Sequence, residues 1–203
     1  MMFLRKFLKY LKKCFNKNAI IPYDIDPNEL ILRVLFKPLF FSASKNKIKY
    51  NSFLPPHSID IEQRSRVSVF RKDYSSDSNC KNSAVTIKMN NQEYVGFLSF
   101  LGIHLAKVNE LPGISVKARL IYTPIDNKSN YRPLIGKFYK FDEGLPMHAE
   151  ISYDKPLELD NPNINHRKYA EAMVKEVGHS VHLDRFPNDI NWNDEPISFK
   201  RIA

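Results

Sequence analysis

Residues 3–17, FLRKFLKYLKKCFNK, show the most regular alternation of apolar and polar positions in the chain. At about 100° per residue, Phe3, Leu4, Phe7, Leu8, Leu11, Cys14 and Phe15 fall in an arc of about 140°, and Arg5, Lys6, Lys9, Lys12, Lys13 and Lys17 fill a similar arc opposite. No Pro or Gly interrupts, and Pro22 bars extension much beyond Ile21. The pattern predicts a basic amphipathic helix over residues 1–18. NAIIPYDIDPNE reads as a linker over residues 19–27.

Beyond it the apolar pattern shortens. ELILRVLF predicts a buried strand or short helix, and Arg66 to Tyr74 alternates imperfectly as a half-buried strand. SSDSNCKNS reads as a polar loop, SAVTIKM as a strand and NNQE as a turn. YVGFLSFLGIHLAKV predicts a strand passing into a helix near Gly102. ISVKARLIYTP is a strand closed by Pro124, DNKSNYRPLIGKFYKFDEG a long irregular loop, and MHAEISY another strand. NINHRKYAEAMVKEVG predicts a helix with Tyr169, Ala170, Met173, Val174 and Val177 on its apolar face and Gly178 at C′. HSVHLDRF predicts a last short strand, and residues 187–203 a surface tail. Strands outnumber helices and no repeat is evident, so the expected class is α+β: a single domain over residues 28–186, with a mixed or antiparallel sheet and two or three helices.

Composition narrows the setting. The 203 residues are 43% hydrophobic, enough for one real core, and thirteen prolines against six glycines imply many turns. No run of 18 apolar residues exists, which excludes a spanning helix within this sequence. Cys14 and Cys80 have no C-x-x-C spacing and read as free thiols of a reducing compartment. The formal charge is +9, of which residues 1–17 carry +6 without a single acid, leaving only +3 for the rest. So mild a balance argues against a nucleic-acid-binding body.

The opening helix has three readings: docked on its own domain, laid on an anionic membrane, or inserted into a partner. Bulky Phe and Leu opposite Lys and Arg, with no acid, is the pattern of an interfacial helix. A secretory signal fits poorly, because lysines interrupt the apolar positions every two or three residues. Phe3, Arg5, Lys6, Phe7, Lys9, Leu11, Lys12, Lys13 and Phe15 are therefore the candidate membrane- or partner-binding residues. The expected location is cytoplasmic, at the inner membrane face.

The common phosphate-cradling, dinucleotide, zinc-protease and nucleophile-elbow motifs are absent from the sequence. His179, His182 and Asp184 form H-x-x-H-x-D, a spacing frequent by chance, and no metal or other cofactor is expected. His148 stands at the head of a strand with Glu150 two residues on, on the same face, a pairing able to move a proton. Arg33 lies inside LILRVLF and Arg71 ends VSVFR; a cation in an apolar run needs an acid such as Glu29, or an anion.

Arg33 with Pro38, Phe53 with Pro55, Val67-Ser68-Val69, and Pro146 before His148-Ala149-Glu150-Ile151, followed by a basic helix from Lys168 to Val177, resemble the order of pieces in a loose set of small bacterial proteins of uncharacterised activity. Lys37 stands where that set usually has a His. The resemblance, over roughly residues 28–178, implies a shared fold and a shared pocket, adds Ser68 to Arg33 and His148 as candidates, and implies no reaction. Two functional expectations follow. The leading one is a non-catalytic accessory or adaptor module recruited to a membrane surface or a protein partner by residues 3–17. The alternative is a small enzyme or binding protein for a phosphorylated or nucleotide-like anion, with Arg33, Ser68, Arg71, His148 and Glu150 as its site.

Overall fold

The computed structural model describes residues 21–58, 60–86, 92–125, 145, 147–159 and 163–199, together with the backbone of 138–139. The predicted helix over residues 1–18, and most of the predicted loop after Ile125, lie outside the described residues.

Six strands form one sheet in the order β10-β6-β2-β5-β9-β7: β2 (Leu30–Lys37), β5 (Arg66–Arg71), β6 (Glu93–Leu101), β7 (Ala118–Tyr122), β9 (His148–Tyr153) and β10 (Val181–Leu183). Every pairing in it is antiparallel. Two small ladders flank it, β1 (Ile21–Pro22) with β8 (Phe138–Tyr139) and β3 (Phe41–Ser42) with β4 (Lys47–Ile48). Three helices complete the described residues: α1 (Asp77–Thr86), α2 (Ile103–Asn109) and α3 (Ile164–Val177). The class is α+β, with a mostly antiparallel sheet.

Both sides of the central strands are covered, so β2 reads as a continuous apolar run rather than an alternation. One face carries Ile31, Arg33, Phe100 and Tyr153. The Phe53 ring lies 5.8 Å from Phe100, and Tyr169 of α3 lies 5.2 Å from Tyr153. Tyr169, Ala170, Met173 and Val177 are buried while Lys168, Glu171 and Lys175 are exposed, as the 3.6-residue period requires. The other face carries Leu32, Phe97 and Ser99, with α1 and the chain after Pro187 packed across it; Trp192 sits 5.9 Å from Phe97. Residues 187–199 form no helix or strand, but Trp192 and Ile197 are buried anchors.

Four expectations are corrected. Residues 76–86 are neither loop nor strand. Ser76 caps α1, its Oγ accepting from the Asn79 amide at 3.1 Å, and the helix buries only Cys80, Lys81 and Ala84. A lysine on the buried side hid the period. The linker reading of residues 19–27 does not hold at Ile21 and Pro22, because Ile21 is fully buried and Pro22 pairs with β8. β5 stops at Arg71 and the chain turns through Lys72–Tyr74 in a single 3-10 turn. Gly178 keeps right-handed helical angles, donates to Val174 O at 2.8 Å and caps α3 itself rather than following the cap.

Gly96 does need to be glycine. Its φ is +143°, and a Cβ there would lie 2.0 Å from His182 O, so only its bare backbone lets β10 pair with β6.

Candidate functional site

Register places the five candidates. Ile31 pairs with Arg71 and Leu32 with Phe70; Phe70 faces His148 and Ser68 faces Glu150. Because side chains alternate, Ser68, His148 and Glu150 share one face, while Arg33 and Arg71 share the other. The sheet separates the two arginines from the His/Glu pair.

Arg71 is fully buried and fully engaged. Its Nε and Nη2 donate to the Glu29 carboxylate at 2.6 and 2.8 Å, Nη1 to Pro22 O at 2.5 Å, and Nη2 also to Asp24 O at 3.4 Å. Its guanidinium lies 4.7 Å over each of the Tyr74 and Tyr122 rings. Burial raises the Glu29 carboxyl above its ordinary value, with Arg71 pulling the other way. It also pushes the Tyr74 phenol up to about 12. Glu29 is therefore the acid of Arg71 and not, as the sequence suggested, of Arg33.

Arg33 has a different job. The Arg71 amide donates to Met147 O on the β9 side, so alternate residues Phe70 and Ser68 turn their backbone groups toward β2. The β2–β5 ladder has only two pairs and ends at Leu32. Beyond that end, Arg33 Nη1 donates to Ser68 O at 2.8 Å and Nε to Ser52 O at 2.8 Å, with the guanidinium 4.6 Å over the Phe40 ring. The side chain supplies the donor that a continuing strand would have supplied. No carboxylate among the described residues pairs with it, and burial lowers its pKa to about 10.

On the opposite face, Glu150 is buried and bonded to Arg66 at 3.1 Å, while Arg66 also pairs with exposed Glu62. Arg66 has no cue in the sequence; only the register Arg66↔Ser152, Ser68↔Glu150 puts it there. The His148 Nδ1 lies 2.6 Å from Thr123 O, a contact only an N–H can make, so the ring is the Nδ1–H tautomer. Burial holds its pKa down near 4, with the Thr123 carbonyl opposing and the Arg33 charge adding. His148 is thus neutral near pH 7. Ser68 is exposed at the edge of this group. The face could hold or move one proton, but the Arg66 guanidinium is already shared between the Glu150 and Glu62 carboxylates.

His179, His182 and Asp184 are not brought together on one ligand. His182 Nε2 faces Ser99 Oγ at 3.0 Å and Ser198 O at 2.8 Å, while Asp184 pairs with Lys81 at 2.9 Å. Among the described residues no His, Cys, Asp and Glu group has the arrangement of a metal site, and no described helix is long and apolar enough to cross a membrane. Cys80 is a free buried thiol whose pKa burial pushes up to about 11. The candidate membrane- or partner-binding residues, Phe3 to Phe15, lie outside the described residues.

Comparison with known protein families, with curated proteins and with solved structures finds no match. The resemblance to small bacterial proteins therefore stays an expectation from sequence.

Proposed function

We propose that the protein is a non-catalytic accessory module held on an anionic membrane surface by residues 3–17. The observation that carries this reading is where uncompensated charge resides. In the folded body Arg66, Arg71, Lys72 and Lys81 each face a carboxylate within 3.1 Å, and the arginines that would form an anion site are spent on Glu29 and on backbone carbonyls. The first seventeen residues carry +6 with no acid. Each such charge near an anionic leaflet contributes about 1 kcal/mol, and the Phe/Leu face adds apolar burial. Neither holds firmly alone.

Flotation of the full-length protein with liposomes tests it. Binding to vesicles of anionic phospholipid is expected, with less to neutral vesicles and less at high salt. Replacing Lys9, Lys12 and Lys13 by Glu should release the protein without changing its melting. A triple variant that floats like the wild type would refute the electrostatic part, and full-length protein that binds no vesicle would refute the whole.

A further inference from the structure

Between Glu29 and Asp60 the chain runs for thirty residues without an acid, and Arg33, Lys37, Lys45, Lys47 and Lys49 all fall inside that stretch. Residues 60–203 are nearly balanced, with twenty lysines and arginines against nineteen acids. Within the acid-free stretch, Arg33 bonds to Ser52 O and Ser68 O, and Lys37 pairs with Glu93 at 2.7 Å. The other three cations stand on one hairpin. β3 and β4 pair Phe41 with Ile48 and Ser42 with Lys47. Phe40, Phe41 and Ile48 are buried and anchor the hairpin to the core, and the Lys49 amide donates to Phe40 O at 2.8 Å. Alternation turns Lys47 and Lys49 outward on either side of Ile48, and residues 43–47 are exposed, Lys45 among them. None of the three lysine side chains has a carboxylate or hydrogen-bond partner among the described residues. Like charges gathered on an anchored element repel one another, and an external anion relieves that repulsion.

The loop after β10 shares this end of the molecule, since Ala43 of the hairpin turn lines one groove with Leu183, Pro187 and Asn188. Leu183, Phe186 and Ile190 there are exposed, at 41, 51 and 69%. The neighbouring acids are engaged. Asp184 faces Lys81, Asp194 faces Arg185 at 3.2 Å, and Asp189 accepts from the Asn191 amide at 3.0 Å and from Asn193 Nδ2 at 2.7 Å. Surplus positive charge thus lies beside unburied apolar side chains. An anionic bilayer matches both features, because its headgroups neutralise lysines and its boundary accepts Phe and Ile. A nucleic acid would use the lysines and leave Leu183 and Ile190 in water.

We infer that the β3–β4 hairpin and the loop after β10 form the face of the folded body that lies against an anionic phospholipid surface. Lys45, Lys47 and Lys49 meet the headgroups, and Phe186 and Ile190 enter the boundary beside them. This inference rests on the membrane reading of residues 3–17 and adds an orientation for the body.

Flotation of the whole chain and its variants separates the two. Replacing Lys45, Lys47 and Lys49 by Gln removes exposed, unpartnered charges and should leave melting unchanged. At about 1 kcal/mol per lysine, affinity for vesicles containing anionic phospholipid should fall about a hundredfold. Phe186→Ser with Ile190→Ser should weaken binding about tenfold. Replacing Arg119, Lys155 and Lys175 by Gln takes the same charge from exposed positions elsewhere and should bind as wild type does. On anionic vesicles the amides of residues 42–48 should exchange more slowly. A hairpin variant that floats like wild type, while the Lys9, Lys12 and Lys13 variant is released, would overturn this inference and leave the membrane reading standing. Loss with the hairpin variant alone would support the inference and refute recruitment by residues 3–17. Equal loss with the control variant would reduce the effect to net charge and overturn the inference. Wild-type protein that binds a DNA duplex but no vesicle would overturn both.

Discussion

Lys81→Met tests a fully buried ion pair of the body. Methionine keeps most of the lysine stem and removes the ammonium. The change takes the counter-ion from the fully buried Asp184 carboxylate, which keeps the Phe186 amide on Oδ1 at 2.8 Å, and leaves Phe186 O and Asn191 O without the donors at 2.7 and 2.8 Å. Breaking a buried ion pair from one side costs about 3–5 kcal/mol, and two orphaned carbonyls add about 1 kcal/mol each where water does not reach them. The loss at pH 7 should be about 5–7 kcal/mol. Trp192 reports it, being the single tryptophan and packed on Phe97 beside this loop. With a urea slope of about 2–3 kcal/mol/M, the midpoint should fall by about 2 M. Removing both charges, as Lys81→Met with Asp184→Leu, should recover part of the loss. A single variant within 1 kcal/mol of wild type at pH 7, or a double variant no more stable than the single, would refute the reasoning.

Three other perturbations follow from the same geometry. The His148 pKa, about 4 in the fold against 6.5 unfolded, makes the folded state bind fewer protons; its stabilisation is complete above pH 6.5 and is lost on acidification through pH 4, up to about 3 kcal/mol. His148→Gln should flatten the urea midpoint between pH 6.5 and 4.5, and an unchanged slope would remove His148 as the titrating group. Gly96→Ala should cost roughly 1–3 kcal/mol in backbone strain alone and strip hydrogen-exchange protection from Val181–Leu183 first, because its Cβ meets His182 O; retained protection there would contradict the close approach. Met173→Asp places an unpaired charge at a fully buried position of α3 and should abolish cooperative melting, whereas a melt near that of wild type would disprove the packing of this helix.

The helix Ile164–Val177 and the strand-to-helix switch at Gly102 were legible because their burial is one-sided or sharply punctuated, so periodicity survives in the residue order. The helix Asp77–Thr86 was not. It buries Cys80, Lys81 and Ala84, and a buried lysine reads as surface. The capping serine was visible, but with no apolar stripe to follow it the same residues read as a polar loop. At the candidate site, His148 and Glu150 were correctly placed on one face because two-residue spacing in a strand fixes that locally. Arg66 escaped notice because its approach to Glu150 depends on strand register, which residue order alone does not carry.

The two arginines illustrate how an apolar run with a cation inside it should be interpreted. Such a residue suggests an acid or a bound anion, yet the partners here are largely backbone carbonyls. Arg71 holds Pro22 O and Asp24 O, Arg33 holds Ser52 O and Ser68 O, and Lys81 holds Phe186 O and Asn191 O. Each cation fastens irregular chain to the sheet or to α1. The need arises from composition: thirteen prolines shorten the regular elements, and every shortened ladder leaves carbonyls that must find donors. Arginine and lysine offer several donors from one side chain and reach across a gap between elements. Carboxylates then complete the count only where burial leaves a net charge, as Glu29 and Asp184 do. Arg33 lacks such a carboxylate, and its depressed pKa records the cost of serving two carbonyls without one. Arg71 and Lys81 spend their donors in this way, so these buried charges secure the irregular chain packed against the sheet and α1.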